Sequence, residues 1–391
     1  MDLEVTAEER SFRERARQWL SENVPTERPP AEPGAARAYE LEWQRLQHEG
    51  GWAGVSWPEE HGGLGLSLME QLIWYEEYAL SGAPQPRCTF VGLRHAGPTL
   101  IAKGTEEQKT FHLRKILRGD VVWCQGFSEP SAGSDLASLR TRAVVDGDDL
   151  VVTGQKIWTS YGDVADYQEL LVRTGQDRPK HRGITWVICD MHSPGIEVRP
   201  IRTISGGADF CEVFYDEVRI PIANVVGDLN DGWAVAMSTL SFERGTAFMA
   251  EQVGLARMVD ELVDLARATT GPDGLRPAIA DDEIRRDLAR ASAEVAALRA
   301  MTYVGVSRAT EAGNPGPEAS VIRLLYGELE QRVARLAVEI CGPAAASRSL
   351  FGEPAAAWMD HYLWAFQATI AAGTKDIQRN IIGERLLGLP R

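Results

Sequence analysis

The sequence contains no long basic run, and its acidic residues outnumber the basic ones. The 41 Lys and Arg against 56 Asp and Glu give a net charge of −15 at pH 7. Binding to phosphates needs clustered cations, so we expect neither nucleic acid nor an anionic membrane as a partner. No uninterrupted apolar span is long enough to cross a bilayer, and the acidic start Met1-Asp2-Leu3-Glu4 lacks the basic and apolar regions of a signal peptide. We therefore expect a soluble cytoplasmic protein.

Cysteine is scarce, and its spacing matches no metal or disulfide pattern. The five cysteines are scattered and form no Cys-x-x-Cys pair: Cys88, Cys124, Cys189, Cys211 and Cys341. This pattern predicts reduced thiols and no metal site. A Gly-x-Gly-x-x-Gly sequence after a strand is also missing, which argues against a Rossmann fold. At 391 residues, with 44% hydrophobic and 25% charged residues, the chain has the composition of a globular protein of two or three domains.

Three regions differ in their hydrophobic pattern. Residues 1–120 predict helices, with capping boxes at Thr6, Ser67 and Thr105. Residues 121–231 alternate short β-branched runs with turns, which predicts an antiparallel β domain of barrel or sandwich type. Residues 232–391 return to the helical period, with breaks at residues 270–282 and 313–317, and predict four long helices in a bundle.

Two segments of the β region form the candidate ligand site. The first is the hydroxyl-rich loop Gln125-Gly-Phe-Ser-Glu-Pro-Ser-Ala-Gly-Ser-Asp-Leu136, and the second is the strand Gly154-Gln-Lys-Ile-Trp-Thr-Ser160. Hydroxyls and amides suit the heteroatoms of a flat cofactor, and the indole of Trp158 would cover one face. As alternatives, such loops commonly only turn the chain, Ser128 and Ser134 would then cap turns, and Trp158 would belong to the core.

Together and in this order, the two segments closely resemble the flavin-binding signature of the acyl-CoA dehydrogenase family. The segment Gly51-Trp-Ala-Gly-Val-Ser-Trp-Pro-Glu-Glu60 resembles the N-terminal domain of the same family. The resemblance implies an N-terminal α-helical domain, a middle antiparallel β domain and a C-terminal four-helix bundle. It also implies FAD as cofactor and an acyl-CoA thioester as substrate. Matched by position, the residues implied to contact the cofactor are Gln125, Phe127, Ser128, Ser134, Trp158, Thr159, Ser160, Thr374 and Asp376.

The position of the catalytic base departs from the commonest pattern of the family. The family removes the α-proton of the thioester with a Glu, usually in a Glu-Gly-Thr turn, but this chain has Ala372-Gly373-Thr374. A replacement is Glu243, which lies at helical spacing on a stripe of small apolar residues and has no Lys or Arg one turn later. A branch of the family that includes isovaleryl- and long-chain-type enzymes carries its base there, followed by Arg, and Glu243-Arg244 matches that pair. The alternative is an ordinary surface glutamate.

The resemblance assigns further roles to the residues around the thioester. The backbone N–H of Ala372 would stabilise the enolate oxygen. Ser134, Ser241 and Arg244 would contact the substrate, and the small Ala371 leaves room for a bulky or branched acyl group. Trp364 or Phe366 would otherwise fill that space.

The flavin contacts that the family takes from a neighbouring subunit are altered here. Arg276 is the substitute for a missing Arg-x-x-Phe-Gly motif, and Glu339 stands where the family has Gln in Gln-x-x-x-Gly. The resemblance implies a tetramer, homomeric or mixed, and an electron-transfer flavoprotein as electron acceptor. The alternatives are a dehydrogenase of carrier-bound acyl groups, an acyl-CoA oxidase, or a non-catalytic subunit of a mixed oligomer.

Overall fold

The computed structural model describes residues 6–175, 178–246, 251–312, 316–346 and 353–390, with backbone alone for 243–246, 311–312 and 353–356. The chain packs as two units. The bundle unit combines Met1–Ser21, Ser67–Gly82 and Arg244–Arg391, and the sheet unit combines Glu22–Leu66 and Ala83–Glu243. The two units interleave along the chain, so the domain boundaries predicted at residues 120 and 231 stay predictions.

The predicted helical N-terminal region is confirmed. Its helices are α1 (Ala7–Asn23), α2 (Pro33–Glu49), α3 (Leu68–Ser81), α4 (Gly97–Lys103) and α5 (Glu106–Leu117), with one π-helical turn at Gly92–Ala96. Capping boxes are formed at Thr6, Ser67 and Thr105 as predicted. Helix α2 begins at Pro33, where the Glu32 carboxylate accepts from two N–H groups of its first turn.

The C-terminal region is helical, as predicted. Its helices are α6 (Gly232–Thr246), α7 (Glu251–Ala268), α8 (Asp282–Ala312), α9 (Glu318–Cys341), α10 (Glu353–Ala365) and α11 (Lys375–Ile381). The predicted breaks separate α7 from α8 and α8 from α9. An irregular segment also lies between α10 and α11, and the hydrophobic pattern of the sequence did not predict it. No helix in the described ranges is both long and apolar enough to cross a membrane.

In the bundle unit, α7, α8, α9 and α10 pack on one another around an apolar core. Helix α3 joins them through a buried carboxylate, Glu76, which is 1% exposed. Glu76 accepts from Arg13 of α1 (3.0 Å), and from Arg299 (3.1 Å) and Tyr303 (2.8 Å) of α8. A buried charge held by three donors from two other helices fixes how α1 and α3 join the bundle.

The sheet unit contains one eight-stranded sheet. Its strands are β1 (Trp123–Gly126), β2 (Arg142–Asp146), β3 (Asp149–Ser160), β4 (Tyr167–Arg173), β5 (Ile184–Asp190), β6 (Ile196–Ile201), β7 (Phe210–Pro221) and β8 (Val225–Val226). The order is β6-β7-β3-β2-β4-β5-β8, with β1 beside β4. Most pairs are antiparallel, but β1 and β2 each pair with β4 in parallel, β2 through Arg142 and Arg173.

Both faces of the sheet are covered. Along β5, Trp186 and Ile188 belong to one apolar cluster, and Val187 and Cys189 belong to the other. The first cluster includes residues of α4, α5 and the start of α6. Thr99 of α4 and Thr239 of α6 share a buried hydroxyl hydrogen bond of 2.9 Å. All five cysteines are buried free thiols.

Candidate active site

A buried lysine fastens the hydroxyl-rich loop to β3. Lys156 has no exposed surface. Its Nζ donates to the Phe127 carbonyl (3.1 Å) and to Glu129 Oε1 (2.9 Å). The Ile157 N–H donates to the Ser128 carbonyl (3.0 Å). Three consecutive loop residues are therefore held against the same stretch of strand.

Glu129 completes this attachment from the loop side. Its carboxylate also accepts from the N–H groups of Arg140 (2.6 Å) and Thr141 (2.8 Å). Burial alone would raise the pKa of Glu129, but the Lys156 ammonium and Thr141 hold this pKa below its usual value. Burial lowers the pKa of Lys156 to about 8, although the Glu129 charge opposes the shift. The opposite charges of the two side chains thus favour the ionised form of each, against the effect of burial.

Trp158 lies in a strained and exposed position on β3. The register with β7 shifts between Lys156 and Thr159, and Trp158 has φ of 62°. A left-handed conformation costs a residue with a side chain roughly 1–2 kcal/mol. The indole is 57% exposed and lies edge to face with Phe210 at 6.2 Å. The alternative that Trp158 belongs to the core is wrong, since the bulge turns its ring outward.

The side chains of the other predicted flavin contacts differ in accessibility. Ser134 is exposed and Ser128 and Ser160 are half-buried. Among the described residues, the Ser128 and Ser134 hydroxyls have no hydrogen-bond partner, so neither caps a turn there. The Phe127 and Thr159 side chains are buried, at 3% and 0% exposure. Neither side chain is exposed to a ligand, and the Phe127 carbonyl already accepts from Lys156.

The Gln125 side chain points into the interior, toward two residues that the sequence did not single out. Gln125 Nε2 donates to Glu169 Oε1 (2.8 Å) and lies 3.2 Å from His95 Nδ1. Glu169 lies beside Gln125 in the β1–β4 pairing, and His95 lies in the π-helical turn. Only the tertiary fold brings them to Gln125, because they are 44 and 30 residues away in the chain.

Helix α6 carries the residues predicted to act on the substrate. Ser241 is exposed, and its hydroxyl donates to the Ser238 carbonyl at 2.7 Å. Glu243 and Arg244 lie in the last turns of this helix. Their side chains lie outside the described part of the structure, so their roles stay predictions.

The turn around Ala372 is held by side chains from two helices of the bundle unit. Ala372 is half-buried, with φ of 53°. Arg323 of α9 donates to the carbonyls of Ala368 and Ala371, the latter at 2.7 Å. Gln378 of α11 donates to the Ala372 carbonyl at 2.8 Å. The backbone conformation at Ala372 is thus fixed without any contribution from its methyl group.

Thr374 and Asp376, the other two predicted contacts of this region, lie at the start of α11. The Thr374 hydroxyl accepts from the Ile377 N–H (3.4 Å) and caps the helix. Asp376 is exposed and lies 3.3 Å from Arg379. The hydroxyl of Thr374 therefore has a local structural role.

Arg276 and Glu339, the two positions that the family resemblance assigns to an inter-subunit flavin contact, each have a local ion pair. Arg276 Nε lies 2.7 Å from Asp273 Oδ2. The N–H groups of Arg276 and Leu275 and the Arg276 side chain lower the pKa of Asp273 to about 2. Arg335 lies 3.3 Å from Glu339, one helical turn away. The positive charge of Arg276 and the negative charge of Glu339 are both partly compensated within this chain.

Family models match three successive parts of the chain. They are those of the acyl-CoA dehydrogenase N-terminal domain (residues 6–120), middle domain (residues 124–218) and C-terminal domain (residues 230–387).

Relatives match over nearly the whole length. Acyl-CoA dehydrogenase IpdE1 of Mycobacterium tuberculosis is 38% identical over 97% of both chains. The ChsE4-ChsE5 complex of the same organism contains a chain 35% identical over 100% of both, with a TM-score of 0.83. The Tcur3481-Tcur3483 steroid ACAD gives 32% identity over 100% of both chains and a TM-score of 0.85. The chain belongs to the acyl-CoA dehydrogenase family of oxidoreductases.

Proposed function

We propose that this protein is an FAD-dependent dehydrogenase that introduces an α,β double bond into an acyl-CoA thioester. Glu243 takes the α-proton, and the Ala372 N–H donates to the thioester carbonyl oxygen as it gains charge. The hydroxyl-rich loop and Trp158 would hold FAD, which would supply the acceptor for the β-hydride, and an electron-transfer flavoprotein would take up the electrons.

The observation that carries this proposal is the arrangement of the sheet unit around Trp158. Trp158, whose ring is exposed by a strained bulge, lies on β3, the strand to which the hydroxyl-rich loop is attached. The Ser128 and Ser134 hydroxyls have no partners in the described ranges and are available to hydrogen-bond a flavin. These residues fit a flat heteroaromatic cofactor: the indole covers a ring face, and the loop supplies hydroxyls and backbone groups.

Glu243 is the proposed base because the carboxylate of the usual family position is absent. Ala372 has no group that accepts a proton, whereas Glu243-Arg244 matches the alternative base and its Arg. The sequence places Glu243 at helical spacing on a stripe of small apolar residues, and a carboxylate in such surroundings would be a better base than a fully hydrated one.

The decisive experiment is Glu243→Gln in the flavin-loaded protein. The amide keeps the size of the side chain but removes the proton acceptor, so turnover should fall by about 10²–10⁴-fold. Flavin content and thioester binding should stay near the wild-type values. Ala372→Glu in the Glu243→Gln background should restore part of the activity. Near-native turnover of Glu243→Gln with intact flavin would show that the base assignment is wrong.

For the substrate we propose a bulky, ring-containing acyl group. Two observations support this choice: the small side chains of Ala371 and Ala372, and a structural neighbour that is a steroid ACAD. A panel of linear, branched and ring-bearing CoA thioesters with an artificial electron acceptor tests it. A clear preference for short linear chains would contradict it.

We also propose a tetramer, homomeric or mixed, because a structural neighbour is a complex of two named chains. Light scattering of the purified protein, alone and co-expressed with candidate partner chains, tests this assembly. A colourless protein that takes up no added FAD would favour a non-catalytic subunit of a mixed oligomer.

A further inference from the structure

We propose that Arg323 is a positioning residue that fixes and polarises the Ala371–Ala372 peptide, so that the Ala372 N–H becomes a stronger donor to the thioester oxygen. This inference rests on the proposed function, because it concerns the donor that faces the developing enolate.

The first step is the geometry of one peptide unit. The Ala371 carbonyl and the Ala372 N–H belong to the same peptide, and no described peptide bond is cis. In a trans peptide the carbonyl and the N–H point in opposite directions. Arg323 Nη2 donates to this carbonyl at 2.7 Å. The guanidinium therefore sits behind the N–H that the proposed function uses.

The second step is that this N–H is available. Among the described residues, no acceptor bonds the Ala372 N–H, and its residue is only half-buried. The next carbonyl, that of Ala372, is held by Gln378. Side chains thus orient both peptides that flank the Ala372 Cα, through their carbonyl oxygens. The N–H of the first of these peptides, that of Ala372, is left for a ligand.

The third step is the strength of the effect. Arg323 is 6% exposed, so its charge acts in a region of low dielectric. A hydrogen bond from a cation to a carbonyl polarises the peptide, and a polarised peptide donates a stronger hydrogen bond through its N–H. The interaction should grow as the thioester oxygen becomes negative, which makes it larger in the transition state than in the bound substrate.

The backbone of α9 is adapted to this contact. A Cβ on Gly327, one turn after Arg323, would lie 2.5 Å from the Ala368 carbonyl and 3.0 Å from Arg323 Nη1. The missing side chain at Gly327 lets the irregular segment approach α9 closely enough for the guanidinium to reach both carbonyls.

The test uses acetoacetyl-CoA, an acidic thioester whose enolate is visible by ultraviolet absorption. The purified, flavin-loaded protein is titrated with this probe, and the ratio of bound enolate to bound keto form is measured at fixed pH. Arg323→Met should lower that ratio about tenfold, the loss expected for a weakened oxyanion donor that is still present. Arg323→Lys keeps a cation but loses the fork that reaches two carbonyls, and should give an intermediate ratio. With a substrate, kcat should fall while KM stays within about twofold.

Gln331→Leu is the matched control. Gln331 lies on the same helix and donates to Thr369 of the same segment at 2.8 Å, but its described hydrogen bonds do not include the Ala371–Ala372 peptide. It should keep the wild-type enolate ratio. If Arg323→Met does not fold, the enolate ratio of Arg323→Lys is compared with that of the wild type instead.

Two outcomes overturn the inference in different ways. If folded Arg323 variants keep the wild-type enolate ratio, or if Gln331→Leu loses it equally, Arg323 has only a structural role and the proposed function stands. If the wild-type protein itself binds acetoacetyl-CoA without enriching the enolate, the oxyanion role of Ala372 fails, and the role of Arg323 fails with it.

Discussion

Replacing Lys156 with Met tests whether the buried ion pair holds the hydroxyl-rich loop in place. The Lys156 ammonium is fully buried and is the cation nearest to Glu129, at 2.9 Å. Removing one partner of a buried pair typically costs about 3–5 kcal/mol, because the other charge stays buried without compensation. Glu129 keeps two backbone donors, Arg140 and Thr141, so we expect a cost near the lower limit, about 3 kcal/mol.

Hydrogen exchange, measured by mass spectrometry, reports this loss of stability at the amides that attach the hydroxyl-rich loop to the sheet. The Thr141 N–H donates to Glu129, and the Ile157 N–H donates to the Ser128 carbonyl. Because about 1.4 kcal/mol corresponds to a factor of ten, Lys156→Met should speed exchange at these two amides by roughly a hundredfold. A second change, Glu129→Leu, removes the buried carboxylate that Lys156→Met leaves without its cation, and should restore part of the exchange protection.

Lys180→Met is the control in the same loop region. Lys180 lies 2.8 Å from Asp135, but their side chains are 52% and 59% exposed. An exposed pair contributes about 0–1 kcal/mol, so this variant should change exchange by less than about fivefold. Equal effects of Lys156→Met and Lys180→Met would refute the reasoning that burial makes the difference.

Two further predictions concern aromatic side chains of the sheet unit. Burial, helped by the Lys115 charge, lowers the pKa of His112 to about 4 from an ordinary value of 6.5. As pH falls, the unfolded state therefore binds the proton first. Between pH 6.5 and 4, the free energy of unfolding should drop by up to roughly 3 kcal/mol more in wild type than in His112→Phe. The prediction is contradicted if urea unfolding gives the same pH dependence for the two proteins across that range. Trp158→Ala should weaken FAD retention by roughly threefold to tenfold, the value of an aromatic stack, and change the flavin absorption bands; unchanged bands and retention would show that the indole does not contact the flavin.

Much of the fold could be predicted from local patterns. The capping boxes at Thr6, Ser67 and Thr105 formed because each depends only on residues three positions apart. The strand predicted at residues 154–160 is confirmed as the second half of β3. The breaks near residues 270–282 and 313–317 were marked by Gly and Pro, which disrupt helices whatever surrounds them.

The residues that the sequence did not reveal are those whose partners are distant in the chain. A lysine in a strand is expected on the surface, yet Lys156 is buried because Glu129, 27 residues earlier, folds back onto β3. His95 and Glu169 reach Gln125 only through the β1–β4 pairing and the π-helical turn. The irregular segment before Ala372 also escaped prediction, because a distant side chain, Arg323, holds its carbonyls.

This support from Arg323 has a consequence for the alanine at position 372. A φ of 53° favours glycine or asparagine, and alanine tolerates it only where the surroundings enforce it. Here the enforcement comes from Arg323 and Gln378 through backbone carbonyls, so the turn does not depend on the side chain at 372. The donor function of the backbone and the proton-accepting function of a side chain are therefore separable at this position. In the proposed mechanism, that separation is what allows the base to lie on α6 at Glu243 while the turn keeps the N–H that the enolate oxygen needs.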